Sequence, residues 1–417
     1  MSKNKYLFPF IMITSLFFMW GFVHNLDPVL IPHLKRSFSL STLQASLVDS
    51  AVFIAYFVMA LPAGFLLKKY GYKKGIIIGL AFFALGSFLF IPAANTQLYV
   101  FFLGALFIIA CGLTILETAA NPYASLLGPP ETATFRLNFA QTFNGLAAAM
   151  APIIGVRVIL IKGLSDEELS TMTESAKQLA LASEASSVKT PYLILGSIIL
   201  VIAVIFLFLK LPEIKEEEDI KAEKTGILHA LRHKHLSWAV AAQFFYVGAQ
   251  VCVFSFFILY ATDVAGISQK SAGDYAGGVG LAFLLGRVLG TFLMKFVKAE
   301  LLLTIYSLIN VLLCIVAITA GGTLALFTVI GIAFFMSIMF PTIFSLGIKD
   351  LGSDTKLGSS LIIMSIVGGA VLPPAMGYIS DVTHNIQTGY IVPLICFVVV
   401  FMFGLKGHKV IKSVKYE

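Results

Sequence analysis

Asp27, Asp49 and Glu117 are three carboxyl side chains set inside long apolar runs, while nearly all of the other acidic residues fall in polar stretches or at the ends of such runs. A charge at a bilayer centre costs roughly 2.5–3.5 kcal/mol on insertion scales, and residues that bear it face a cavity or a proton path. Moving a carboxylate out of water favours its neutral form unless a cation or hydrogen-bond donors intervene. The chemistry on offer is therefore the loading and release of a proton. Glu117 carries this reading best, being preceded by Ile115-Leu116 and followed by Thr118-Ala-Ala-Asn121. Its alternative is a carboxyl hydrogen-bonded between helices. Asp27 precedes Pro28, so it either caps a kinked segment, where proline frees backbone groups, or contacts a proton or solute. Asp49 either joins this set or lies near the outer surface. His24 stands three residues before Asp27, a spacing at which two helical side chains can pair.

A second set consists of amides. Asn121, Asn138, Gln141 and Asn144 cluster in sequence, Asn25 accompanies His24, and Gln243 and Gln250 mark a later apolar run. Gln141 and Asn144 are three apart and share a helix face. Amides both donate and accept, which suits a ligand rich in hydroxyl groups; helix-to-helix hydrogen bonding is the competing use. Trp20, Phe22, Phe244, Phe245 and Tyr246 are placed to stack on the apolar face of a ring, or simply to pack. Arg157 and Arg287 are isolated, so no arginine pair grips a phosphate or dicarboxylate. The pattern points to a neutral polar solute of modest size.

The elements that must hold these residues follow from composition. Of 417 residues 58% are hydrophobic and 12% charged, with 37 phenylalanines and a mean hydropathy of +0.92. Soluble domains average ~45–50% apolar and ~25% charged. Such a chain uses lipid as its solvent, which excludes a soluble enzyme, a disordered regulator and a disulfide-framed secreted module. No HExxH helix or GxSxG elbow suggests an intramembrane enzyme. The four cysteines are scattered singly with no CxxC spacing, so neither metal nor cofactor is expected. A net charge of +7 forms no compact basic stripe, which argues against nucleic acid.

With about 20 apolar residues per crossing, twelve spans are expected, near 7–33, 43–68, 75–94, 98–122, 135–161, 191–211, 237–262, 273–295, 299–319, 323–347, 357–380 and 387–405. The first is too long for a signal peptide and no small-residue cleavage site follows it. Cytoplasmic loops carry excess Lys and Arg. With the N-terminus inside, 22 of the 29 basic residues, Arg287 among them, fall on the cytoplasmic side. Both termini are thus expected there. Residues 163–190 read as an outer segment with a short amphipathic helix. Residues 212–236 form a charged cytoplasmic loop dividing an N-terminal half (1–211) from a C-terminal half (237–417).

The halves echo each other. Gly64-Phe-Leu-Leu-Lys-Lys-Tyr70 answers Gly290-Thr-Phe-Leu-Met-Lys-Phe296, Pro122 with Leu127-Gly128 answers Pro341 with Leu346-Gly347, and Ala151-Pro-Ile-Ile-Gly155 answers Pro373-Pro-Ala-Met-Gly377. Their common order makes a duplicated six-helix unit, the parallel repeat of major facilitator transporters, whose substrate sits at mid-membrane between the halves. The expected fold is an all-α membrane protein of twelve transmembrane helices in two six-helix halves.

Four stretches carry a closer likeness: Leu116-Glu-Thr-Ala-Ala-Asn-Pro122, Phe135-Arg-Leu-Asn-Phe-Ala-Gln-Thr-Phe-Asn144, Ala242-Gln-Phe-Phe-Tyr-Val-Gly-Ala-Gln250 and Phe340-Pro-Thr-Ile-Phe-Ser-Leu-Gly-Ile-Lys349. Through them the chain resembles the fucose–proton symporter family along nearly its whole length. That family includes carriers of fucose, glucose, galactose and amino sugars. The resemblance implies a monosaccharide importer coupled to protons, working by alternating access as a monomer in the bacterial inner membrane. Uncoupled or sodium-coupled passage is the alternative. By resemblance Glu117 matches the family glutamate tied to proton coupling and sugar recognition. Gln141 and Asn144 match sugar-contacting positions, and Asn25 matches a polar position of the first span. One departure stands out: the fucose carriers have an Asn-Asp pair where this chain has Asp27-Pro28, so Asp27 or Asp49 would have to replace the second carboxylate. Lys68 also stands where the superfamily's cytoplasmic motif usually has aspartate, as it does in fucose-type carriers.

Overall fold

In hydrocarbon every backbone N–H and C=O must find a partner within the protein, and a helix does this within one segment. The computed structural model describes residues 7–26, 47–159, 171–212 and 226–410, together with positions 30, 33, 34, 37, 38 and 44. Among the described residues there are helices and no strands. Ten segments are long and apolar enough to cross a membrane. Two observations bring these to twelve spans. Helix Leu47–Thr96 has 50 residues, about 75 Å at 1.5 Å per residue against a hydrocarbon core of about 30 Å. It breaks at Gly71 (φ 78°, ψ 172°), so it holds spans two and three. A Cβ built on Gly71 would meet nothing within 4 Å, so this glycine serves the left-handed backbone and not a close approach. Helix Ala133–Ile159, with 27 residues, supplies span five.

The remaining spans follow the expected positions with instructive differences. Leu30 and His33 of the span expected over 7–33 are helical, but its first helix is Leu7–His24. Its end is marked by the Asn25 side-chain amide, which donates to the Gly21 carbonyl at 2.7 Å. Spans four, six, eight and nine are Tyr99–Leu126, Lys189–Phe208, Gln269–Leu293 and Ala299–Thr319. Span seven runs as Lys234–Ser255 and Phe257–Ala265, span ten as Gly322–Met336 and Met339–Gly347. Span eleven is Thr355–Met364 and Gly368–Thr383 joined by a 3-10 turn, and span twelve contains Ile391–Met402. The expected outer amphipathic helix is Glu174–Ser186; Thr173 caps it by accepting from the Ala176 N–H at 3.4 Å. Residues 213–225 of the expected cytoplasmic loop lie outside the described residues.

Two of the repeated prolines free backbone acceptors, a consequence that hydropathy alone does not show. Proline has no N–H, so the carbonyl four residues earlier loses its helical donor. Pro122 leaves the Thr118 carbonyl free, and Ser359 Oγ donates to it at 2.8 Å. Pro341 leaves the Ser337 carbonyl free, and Arg287 Nε donates to it at 2.9 Å. The duplicated proline thus exposes a backbone acceptor in each half, and a side chain from another span takes it.

Candidate substrate and proton site

Glu117 lies in the middle of span four and is 8% exposed. Tyr56, from span two, donates its hydroxyl to Glu117 Oε1 at 2.5 Å. That leaves Oε2 as the oxygen for a proton or a solute hydroxyl. One turn on, Asn121 Nδ2 donates to the Glu117 carbonyl at 2.9 Å, and Gln141 Nε2, from span five, donates to Asn121 Oδ1 at 3.2 Å. The chain continues into the other half, where Arg287 Nη1 of span eight donates to the Gln141 carbonyl at 2.9 Å. Arg287 is 3% exposed; its Nε reaches Ser337 of span ten and its guanidinium lies 4.6 Å from the Phe283 ring centroid. Hydrogen bonds therefore link the residues Tyr56, Glu117, Asn121, Gln141, Arg287 and Ser337 across five spans, with the links to Asn121 and Arg287 made through the main-chain carbonyls of Glu117 and Gln141. Tyr246 of span seven is fully buried and edge-on to Phe340.

The other expected residues divide by accessibility. Asn144 is half-buried and faces span one at Gly21, where a built Cβ would lie 2.7 Å from Asn144 Nδ2. Only a glycine lets the two spans meet there. His24, at the end of the first helix, is exposed. Asn25 and Gln250 are half-buried. Gln243 is fully buried, and neither amide atom has a partner. A buried unpaired amide is costly, so Gln243 is poised for a ligand or water. Trp20 was expected to offer a ring face; the structure instead buries it to 3% exposure with its ring 4.2 Å from Phe17. Tyr246 is equally closed off. Asp27 lies outside the described residues. Asp49 is in the first turn of helix Leu47–Thr96, and its side chain lies outside them.

Hydrogen bonds that cross between the halves lie along spans five and ten as an antiparallel ladder. Thr134 Oγ1 meets Ser345 Oγ at 2.9 Å, and Asn138 Nδ2 donates to Thr342 Oγ1 at 3.2 Å. A turn deeper, Gln141 is bonded to Arg287, which also holds Ser337. Beside the ladder Ser360 Oγ donates to the Ala60 carbonyl at 2.5 Å, next to the Ser359–Thr118 contact. All of these begin from the end that carries the connections between spans four and five and between ten and eleven. The halves are closed against each other at that end.

Residues 10–356 match the family model of the Major Facilitator Superfamily. The chain belongs to that superfamily. It is 42% identical to the L-fucose-proton symporter of Escherichia coli over 97% of this chain and 94% of that protein. It is 39% identical to the glucose/galactose transporter of Brucella abortus over 98% and 96%. A crystal structure of a major facilitator transporter, FucP, in the outward conformation superposes with a TM-score of 0.90 at 41% identity, covering 97% of this chain and 99% of that one. These superfamily relatives are transporters, not enzymes, and this chain is a multi-pass membrane protein of their fold.

Sequence reasoning missed two residues of this major facilitator site. Tyr56 is one tyrosine among 14, and nothing in span two singles it out. The sequence expectation groups Arg287 with the cytoplasmic cations as an isolated arginine; the structure instead buries it at the contact of the halves, which removes it from the orientation count. Pro341 was the signal that could have found it, since a proline in span ten predicts a carbonyl in need of a donor.

Proposed function

We propose that this protein imports a monosaccharide of the hexose or deoxyhexose class together with a proton, by alternating access. The observation that carries this reading is the Glu117–Tyr56 pair set at the start of an amide path leading to the other half. Glu117 loads the proton. Gln141, Asn144, Asn25, Asn121, Gln243 and Gln250 are the hydroxyl-binding amides, and His24, exposed at the end of the first helix, is a further sugar contact. Trp20 and Tyr246, buried here, would meet the sugar only after the halves move. Asp27 or Asp49 is the second carboxyl. The units that rock are residues 1–211 and 237–417, joined by 212–236.

The excess of basic residues supports cytoplasmic termini and a place in the bacterial inner membrane, as a monomer. In that orientation the closed end is cytoplasmic, and the arrangement is outward-facing. A proton moving inward supplies roughly 2.3 kcal/mol per 100 mV, enough to concentrate a neutral sugar several tens-fold. The names of the relatives, fucose for one and glucose or galactose for another, support the substrate class.

The test is uptake of labelled fucose, galactose, glucose, fructose and N-acetylglucosamine at two pH values, with external pH recorded. One or more sugars should enter faster at the lower pH, and adding that sugar should make the medium alkaline. Uptake without alkalinisation would favour the uncoupled or sodium-coupled reading, to which the Asp27-Pro28 departure lends weight.

A further inference from the structure

Outside the transport path, two imidazoles and one carboxylate converge at the end of the molecule where the halves are closed. His229 belongs to the short helix Ile227–Ala230, His233 precedes the start of span seven, and Asp354 ends the 3-10 turn before span eleven. His229 Nδ1 is 2.7 Å and His233 Nε2 3.4 Å from Asp354 Oδ2, and the ligand atoms of all three lie within 4.8 Å of one another. We propose that His229, His233 and Asp354 bind one transition-metal dication of the zinc class.

Four features carry this. A zinc ion holds nitrogen and carboxylate oxygen at ~2.0–2.2 Å in a tetrahedron, which sets neighbouring donors ~3.3 Å apart; His233 stands at 3.4 Å from Oδ2, and His229, hydrogen-bonded to Oδ2 at 2.7 Å, needs to move back only about 0.6 Å. The donor set of two imidazoles and a carboxylate suits zinc and its neighbours, whereas calcium and magnesium require mostly oxygen. Asp354 is 1% exposed, and its second oxygen, Oδ1, is buried with no hydrogen-bond partner. A carboxylate with an oxygen left unpaired in the interior is costly, and a cation bound at Oδ2 would neutralise the charge that this carboxyl carries there. Finally, all three residues line a cavity of about 700 Å³, which leaves the remaining coordination positions for water or a second residue. Glu131, from the connection between spans four and five of the other half, lines the same cavity. The spacing of four between the histidines was not enough to reveal the site in sequence, because the carboxylate stands 125 residues from His229. The inference does not depend on which solute the protein carries.

The experiment uses the full chain purified in detergent, with any affinity tag removed, titrated with Zn²⁺ in competition with a chromophoric chelator. One ion should bind per chain. His229→Gln, His233→Gln and Asp354→Asn should each weaken binding by more than about tenfold, since losing even a residue that supports a ligand costs 10–100-fold. His384→Gln, an exposed histidine elsewhere, should leave binding unchanged. If Asp354→Asn does not fold, the histidine variants carry the test, because their side chains are 45% and 33% exposed. Absence of stoichiometric binding, or binding that survives in both His229→Gln and His233→Gln, overturns the proposal.

Discussion

At Glu117 a single phenol, Tyr56, does the work of holding the carboxyl. Hydrogen bonds to charged groups contribute about 1.5–3 kcal/mol, so Tyr56→Phe should be felt chiefly by the ionised form of Glu117. The expected outcome is a folded protein whose proton-driven uptake falls about tenfold, the equivalent of 1.4 kcal/mol, while exchange of sugar across the membrane continues. Initial rates of both, measured in the same vesicles, check it. Glu117, Asn121 and Gln141 were legible in the sequence because a polar group among apolar neighbours needs a reason to be there. Tyr56 was not, because tyrosine packs and also bonds, and its type alone does not say which. Arg287 was misread for a related cause. A lone cation six residues from the end of an apolar helix looks like one that reaches for the membrane surface, and only the three-dimensional contact with Gln141 and Ser337 reveals otherwise.

Within the helices, the positions of the spans were readable from hydropathy and their ends much less so. Spans of about 20 apolar residues are set by bilayer thickness, whereas a helix ends where its last carbonyls find other donors. The first helix of span one ends at His24, where the Asn25 amide turns back to the Gly21 carbonyl, although the apolar run goes on. The repeated prolines were visible as a pattern, but their use was not. Pro341→Ala would restore an N–H that competes with Arg287 for the Ser337 carbonyl. Its expected effect is a melting temperature equal to or above that of the parent, with uptake reduced. A thermal-unfolding curve and a transport assay on one preparation separate this from simple misfolding. A close contact gives a further prediction. A Cβ built on Gly64 would lie 2.6 Å from Ser360 Cβ, so Gly64→Ala should push spans two and eleven apart at the closed end.

For the whole molecule, the contacts of spans two, four and five with spans eight, ten and eleven form one surface that must break for the halves to rock. Side-chain hydrogen bonds between membrane helices contribute about 0.6 kcal/mol on average. Removing two of them, with Ser359→Ala and Ser360→Ala together, should shift the balance toward the state open at that end by about 1 kcal/mol, roughly fivefold. Accessibility of a cysteine placed at Thr134 reads this shift directly. The serines touch the backbone of span four at Thr118, beside Glu117, and of span two at Ala60, one turn from Tyr56. The two spans that meet at Glu117 are therefore among those that close the molecule, which gives a proton loaded at Glu117 a route to bias the arrangement of both halves. Neither serine was singled out in the sequence, since short hydroxyl side chains in an apolar helix commonly bond their own backbone. The role of Glu117 as the proton-loading carboxyl is tested most directly by Glu117→Gln in proteoliposomes, comparing sugar counterflow with uptake driven by a proton gradient. It predicts that counterflow persists while driven uptake is lost. Driven uptake undiminished in Glu117→Gln would contradict it.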